Sequence, residues 1–200
     1  KNRNFTLLFT GAFVSEIGNM VFALGMSIYI LLLTNDEAIM GIFMAVSIFS
    51  RVIVSPFAGP LVDRWNKIKV IYVTDFVRGF MFIILAYIFF TGLTDVHTIL
   101  IYLFIVTVIS SVNAAFFFPA QSSSVPDIVG EDNLQAAQGL QGFLMAIPQL
   151  IGGFLGAAFV DTIGVEWLIL FNGISFVLSG VSELFIKTPY KKEIVKEVYT

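Results

Sequence analysis

Gly59-Pro60-Leu61-Val62-Asp63-Arg64-Trp65-Asn66-Lys67-Ile68-Lys69 ends one long apolar run and crosses, at Asp63–Lys69, a short break carrying three basic residues before the next run. Ile39–Val62 precedes it and Val70–Thr91 follows it. Each run is long enough to cross about 30 Å of hydrocarbon, which takes roughly 20 apolar residues in a helix. The same pattern continues outward on both sides. Leu7–Leu33, Ile99–Phe118, Leu134–Val160 and Val165–Ile186 are further apolar runs, separated by Thr34–Glu37, Gly92–Thr98, Pro119–Asn133 and Asp161–Gly164. Six transmembrane helices are therefore expected. The runs are apolar all round, whereas barrel strands alternate over about ten residues. The first run is also too long for a signal peptide and lacks a small-residue cleavage site.

Composition agrees. Of 200 residues, 58% are hydrophobic and 12% charged, against about 25% charged in a soluble domain. Too little charge is present to cover a soluble surface, so the chain reads as an all-α integral membrane protein. There is no Cys, which excludes disulfides and thiolate chemistry. The single His97, with no His-Glu-x-x-His or phosphate-loop motif, offers no machinery for metal-dependent proteolysis or ATP hydrolysis. No cofactor, metal or enzymatic activity is expected, and a net charge of −3 provides no basic field for nucleic acid. The first residue is Lys1 and not Met, so a fragment of a longer chain is expected.

Orientation follows from Lys and Arg. Nine of the eleven lie on one side: Lys1, Arg3, Arg64, Lys67, Lys69, Lys187, Lys191, Lys192 and Lys196. The opposite loops hold Asp36, Glu37, Asp95, Asp161 and Glu166. Both termini are expected in the cytoplasm of a multi-pass cell-membrane protein. The Pro119–Asn133 loop is acidic yet cytoplasmic by parity, and acidic residues weigh little in this rule.

The break after the second run resembles the signature loop of the major facilitator superfamily, with Gly59, Leu61, Asp63, Arg64 and Lys67 at matching positions. Asn66 replaces a second Gly, and Asn tolerates the left-handed backbone such a turn needs. Gly59 is expected to permit close helix approach, and Asp63 to face a helix N-terminus. Within the superfamily the chain looks most like the macrolide and multidrug efflux branch. The similarity is carried by Phe9–Asn19, by Asp75-Phe76-Val77-Arg78-Gly79, by Phe117–Ala120 with Pro126, and by Ala137–Leu140. This implies the N-terminal half of a twelve-helix bundle, residues 1–186, built as a 3+3 inverted repeat. Residues 187–200 would then begin a cytoplasmic linker to a C-terminal six-helix half. The implied partners are a small-molecule substrate, a proton and the lipid bilayer. The fifth run is similar to an antiporter motif but has Ile147 before Pro148 and its Gly pair, Gly152 and Gly153, one residue late. Pro148, Gly152 and Gly156 form one small face, which serves either tight packing or an antiporter-specific role.

Charges inside the spans are costly and mark cavities or partners. Glu16 and Arg51 lie at similar depths, roughly 14 and 16 Å from the basic end at 1.5 Å per residue, so an ion pair is one reading and a transport role for Glu16 the other. In the resembled fold the first and fourth spans line the cavity and the second flanks it, which places Glu16, Arg51 and Asn113 at a substrate or proton site. Asp75 and Arg78, at i and i+3, read as a salt bridge coupled to the signature loop. Glu183 and Lys187 read as an interfacial i, i+4 pair. The resemblance implies export of macrolides or other amphipathic drugs by proton-coupled alternating access. An uptake permease on the same fold, and a six-span channel, are the alternatives.

Overall fold

The computed structural model describes residues 2–187, apart from the side chain of Glu131. Six long helices follow one another: α1 (Arg3–Thr34), α2 (Glu37–Val62), α3 (Lys67–Phe90), α4 (Val96–Val129), α5 (Leu134–Ala158) and α6 (Val165–Leu184). A π turn, Phe159–Ile163, continues α5, and a 3₁₀ turn, Glu131–Asn133, precedes it. All six are long and apolar enough to span a membrane. Among the described residues there are no strands. The linkers are short because side chains finish the helices. Asn2, Asp36, Asn66 and Asp95 each accept a backbone N–H in the first turn of α1, α2, α3 and α4, satisfying donors that a helix start leaves open. Asn35, at φ 50°, closes α1 in the left-handed conformation.

One boundary differs from expectation. Pro119–Asn133 is not a loop: α4 runs through Pro119 and Pro126 to Val129. Proline inside a membrane helix is tolerated where neighbouring groups serve the disturbed backbone. Proline leaves the carbonyl four residues before it without its helical donor. Beside the Ser122 carbonyl, that of Ser123 accepts from Lys67 Nζ at 2.8 Å. Between the prolines, Ser123 Oγ and Ser124 Oγ donate to the Pro119 and Ala120 carbonyls at 2.7 and 2.6 Å. Gln121 and Ser124 are buried, so the polar stretch packs inward. The expected tail lies outside the described residues apart from Lys187.

Side-chain bonds tie four chain segments to one face. Asn2 Nδ2 donates to the Ile128 carbonyl, Asn4 Nδ2 to that of Lys187, and Lys67 pairs with Asp127 at 3.0 Å. The start of α1, the α2–α3 link and the ends of α4 and α6 therefore meet at the basic end. Asp127 answers the basic charge there, which accounts for an acidic segment on that side. Packing is paired in a regular way. α1 lies on α5 and α6, α4 lies on α2 and α3, and α3 and α6 lie on each other. Exchanging α1 with α4, α2 with α5 and α3 with α6 maps this set onto itself. Since α1 and α4 enter from opposite faces, the two three-helix units are arranged as an inverted repeat.

The core is split in two. One cluster includes Val21, Met26, Ile30, Phe82, Leu103 and Phe176; the other, toward the basic end, includes Leu8, Val62, Ile71, Phe117, Ile128 and Ile186. Ser15, Thr74, Asp75, Arg78, Ser179 and Glu183 lie between them along α1, α3 and α6 and are all buried. A polar belt thus crosses the apolar bundle.

Where α1 meets α5 the backbones touch. A Cβ on Gly156 would lie 2.6 Å from the Gly25 nitrogen, whereas one on Gly139 would meet nothing within 4 Å. Gly156→Ala in the full-length protein is expected to lower stability by about 1–3 kcal/mol through overpacking, and Gly139→Ala to leave the melting temperature unchanged or raised. Equal melting temperatures for the two variants would contradict this close approach.

Asp95 provides a pH-dependent test at the opposite end. The Thr98 hydroxyl and backbone N–H bond its carboxylate and hold its pKa below the ordinary aspartate value. A depressed folded-state pKa stabilises above the unfolded value and is lost as pH falls through the folded one. Asp95→Ala is expected to lower the melting temperature at neutral pH, with the difference shrinking as pH falls below about 4 and lost once pH is below the depressed folded-state value.

Candidate functional site

The belt is built chiefly by α3 and α6. One turn of α3 brings Asp75 and Arg78 to the same side, and Arg78 Nη2 donates to Asp75 Oδ1 at 2.6 Å. The guanidinium lies between two rings, 4.8 Å from the centre of Phe117 on α4 and 4.3 Å from that of Phe176 on α6. A flat delocalised cation can occupy such a slot, since both faces attract it while its edge hydrogen-bonds. Opposite, α6 contributes Glu183, whose exposure is 0% and whose Oε1 accepts from Ser179 Oγ at 3.2 Å. Asp75 Oδ2 and Glu183 Oε2 are buried without a partner, and so are both side-chain polar atoms of Asn172 farther along α6. α1 closes the belt through small residues: a Cβ on Gly11 would approach the Ser182 and Ser179 hydroxyls, and one on Gly18 the Ser175 hydroxyl and the Asn172 amide oxygen.

This placement corrects the reading of Glu183. It is not an interfacial residue paired with Lys187 but a fully buried carboxylate facing α3. The i, i+4 spacing allows a surface pair, but α6 turns Glu183 inward with Ser179, Ser175 and Asn172. Those residues recur at helical spacing, and that polar stripe is the signal that identifies the buried face.

Glu16 is half-buried on α1. It makes no ion pair with Arg51: the ion pairs among the described residues are Lys67–Asp127 and Asp75–Arg78. Arg51 is exposed and sits 5.8 Å from the Phe118 ring centre. Arg78 is the strongest charge acting on Glu16, ahead of Arg51 and Asp75. Matching depth along two helices does not bring their side chains together when the helices turn them to different sides. Asn113 Nδ2 donates to the Ile109 carbonyl of its own helix at 2.8 Å.

In the signature loop, Asp63 ends α2, its N–H donating to the Gly59 carbonyl at 3.1 Å. Asn66 at φ −70° caps α3 instead of adopting a left-handed turn; its amide oxygen does the work expected of Asp63. A Cβ on Gly59 would meet nothing within 4 Å, so Gly59 is not a close-approach residue within this half. Leu61 and Arg64 are exposed, and Lys67 holds the loop to α4. Pro148, Gly152 and Gly156 are buried, and the two glycines face α1 at Met20 and Gly25; Gly153 sits aside near Leu24. Two concavities of about 650 and 690 Å³ open at the basic end, one by Arg64, Trp65 and Lys69, the other by Asn2, Arg3 and Asn133. Neither includes Glu16. Among the described residues no three His, Asp or Glu gather as metal ligands.

The model of the family described as Major Facilitator Superfamily matches residues 8–198. The chain belongs to the major facilitator superfamily. Six apolar helices in this arrangement form one half of such a transporter. Relatives include the MFS-type transporter YkuC of Bacillus subtilis, 29% identical over 90% of this chain and 41% of its own length. The putative bacilysin exporter BacE of the same organism is 29% identical over 72% of this chain and 35% of its own. Multidrug resistance protein 2, also from Bacillus subtilis, is 26% identical over 91% and 43%. The chain thus spans about two-fifths of the length of the curated relatives it matches. No solved structure matches it.

The ring sandwich makes a specific demand on this superfamily half. Arg78→Lys keeps the charge but loses the planar face and the fork. It is expected to lower the stability of the full-length protein by about 1–3 kcal/mol, read as a lower melting temperature in detergent. An unchanged melting temperature would mean that the stack contributes nothing.

Proposed function

We propose that the chain is the N-terminal half of a cell-membrane exporter of amphipathic compounds, macrolides among them, driven by proton exchange through alternating access. The observation that carries this reading is Glu16. Away from the helix ends it is the one carboxylate in the described spans that is neither exposed nor fully buried. A partly desolvated carboxylate on a cavity-lining helix suits a cationic cargo or a titrating proton. The relatives named as a putative exporter and a multidrug resistance protein support export over uptake.

A second six-helix half completes the site in this reading. α2 buries only Phe43, Ala58 and Val62, and Leu150 and Phe154 of α5 are exposed, so both helices present apolar surface to lipid or protein. The substrate then binds near the midplane between the halves, with Glu16 and Asn113 contributed from this side. The Asp63–Lys67 loop faces the cytoplasm and moves with the helices. Both termini of the described segment are cytoplasmic, following the excess of Arg and Lys at that end.

Cells expressing the intact gene should survive higher drug concentrations, and a proton uncoupler should abolish the gain. Uptake would instead increase drug sensitivity. Glu16→Gln keeps size and hydrogen bonding but removes the charge. It is expected to reduce export of cationic drugs at least ~10-fold, the scale of one charge-assisted contact, with membrane expression unchanged. Full export by the Gln variant would remove Glu16 from the site.

A further inference from the structure

The buried belt contains a charge imbalance that the proposed substrate site does not use. Asp75 and Glu183 are each 0% exposed and Arg78 is 3% exposed. Fully ionised, these three carry a net charge of −1. The surrounding helices do not correct it. α1 presents Glu16, another carboxylate on which Asp75 acts. α4 presents Phe117 at this level and commits Asp127 to Lys67. α5 carries no Asp, Glu, Lys or Arg at all between Leu134 and Ala158. Including both Glu16 and the exposed Arg51 gives three carboxylates against two guanidiniums, and the sum is again −1.

The hydrogen bonding shows the same deficit. Asp75 Oδ1 has Arg78 and Glu183 Oε1 has Ser179, while Asp75 Oδ2 and Glu183 Oε2 have no partner. Both orphaned atoms are acceptors when the carboxylates are ionised, and what they lack is a donor. The two groups face each other across the α3–α6 seam, and Asp75 is the principal charge acting on Glu183. A single proton corrects the charge count and supplies the missing donor. Leaving a buried carboxylate both charged and unpaired costs several kcal/mol, and such groups neutralise instead.

We propose that Asp75 and Glu183 together bind one proton, shared between Oδ2 and Oε2 and balanced by Arg78, so that the seam between α3 and α6 is a proton-binding site. Release to water returns the seam to net −1 and removes the hydrogen bond between its two sides, which disfavours the closed packing of α3 on α6. Proton occupancy and the separation of these helices are thereby linked. The proposal concerns the ion and not the cargo, and it stands whether the proposed export is correct or not.

The test is an infrared count of protonated buried carboxyl groups in the full-length protein in liposomes at neutral pH, which requires no transported substrate. Wild type should show a carboxylic-acid C=O band. Glu183→Gln and Asp75→Asn should each remove one group's worth of that band, because each leaves a neutral carboxylate–guanidinium pair. Arg78→Met should add one group's worth, since two carboxylates then lack a cation. Both neutralised variants should fold with melting temperatures near wild type. The proposal is overturned if neither single substitution changes the band, if the band depends on sodium, or if both neutralised variants fail to fold. Loss of drug export with the band intact would count against Glu16 and leave the proton site standing.

Discussion

A charged cluster inside an otherwise apolar bundle is the constraint around which this half is arranged. Arg78 must be paired, desolvated and stacked at once, and only the meeting of α3, α4 and α6 meets all three needs. Asp75 comes from its own helix, Phe117 from α4, and Phe176 with Ser179 and Glu183 from α6. Neighbouring residues on each helix change character at the same depth: Ile71 gives way to Asp75 on α3, and Phe176 to Ser179 on α6. The two apolar clusters on either side keep water out, which makes the electrostatics of the belt strong and any unbalanced charge expensive.

Close backbone contact is the second requirement, and it is met elsewhere. Gly25 and Gly156 let α1 and α5 touch, while Gly79 and Gly173 do the same for α3 and α6. In lipid there is no hydrophobic gain from helix association as such, so contact rests on packing between small residues and on interhelical hydrogen bonds. The α1–α5 seam uses the first device. The α3–α6 seam combines glycines at one level with the contact of Arg78 on the Phe176 ring at another. The inverted repeat therefore conserves the pairing of helices without conserving the chemistry at each seam.

Apolar length and the asymmetry of basic residues determined the helix count, the element type and the common face of the helix ends, because a bilayer leaves the backbone little choice other than a helix. The Asp75–Arg78 pair was legible too, being local to one helix turn. Three things needed the tertiary structure. Pro119 and Pro126 read as a break, yet Lys67 from a distant link and serines on α4 itself support the helix there. Glu16 and Arg51 share a depth, but the azimuth of two packed helices sets whether they meet, and depth does not encode it. Glu183 reads as a surface partner for Lys187 by spacing alone. Only the packing of α6 on α3 and α1 turns it inward to face Asp75, because burial is a property of neighbours and not of one helix.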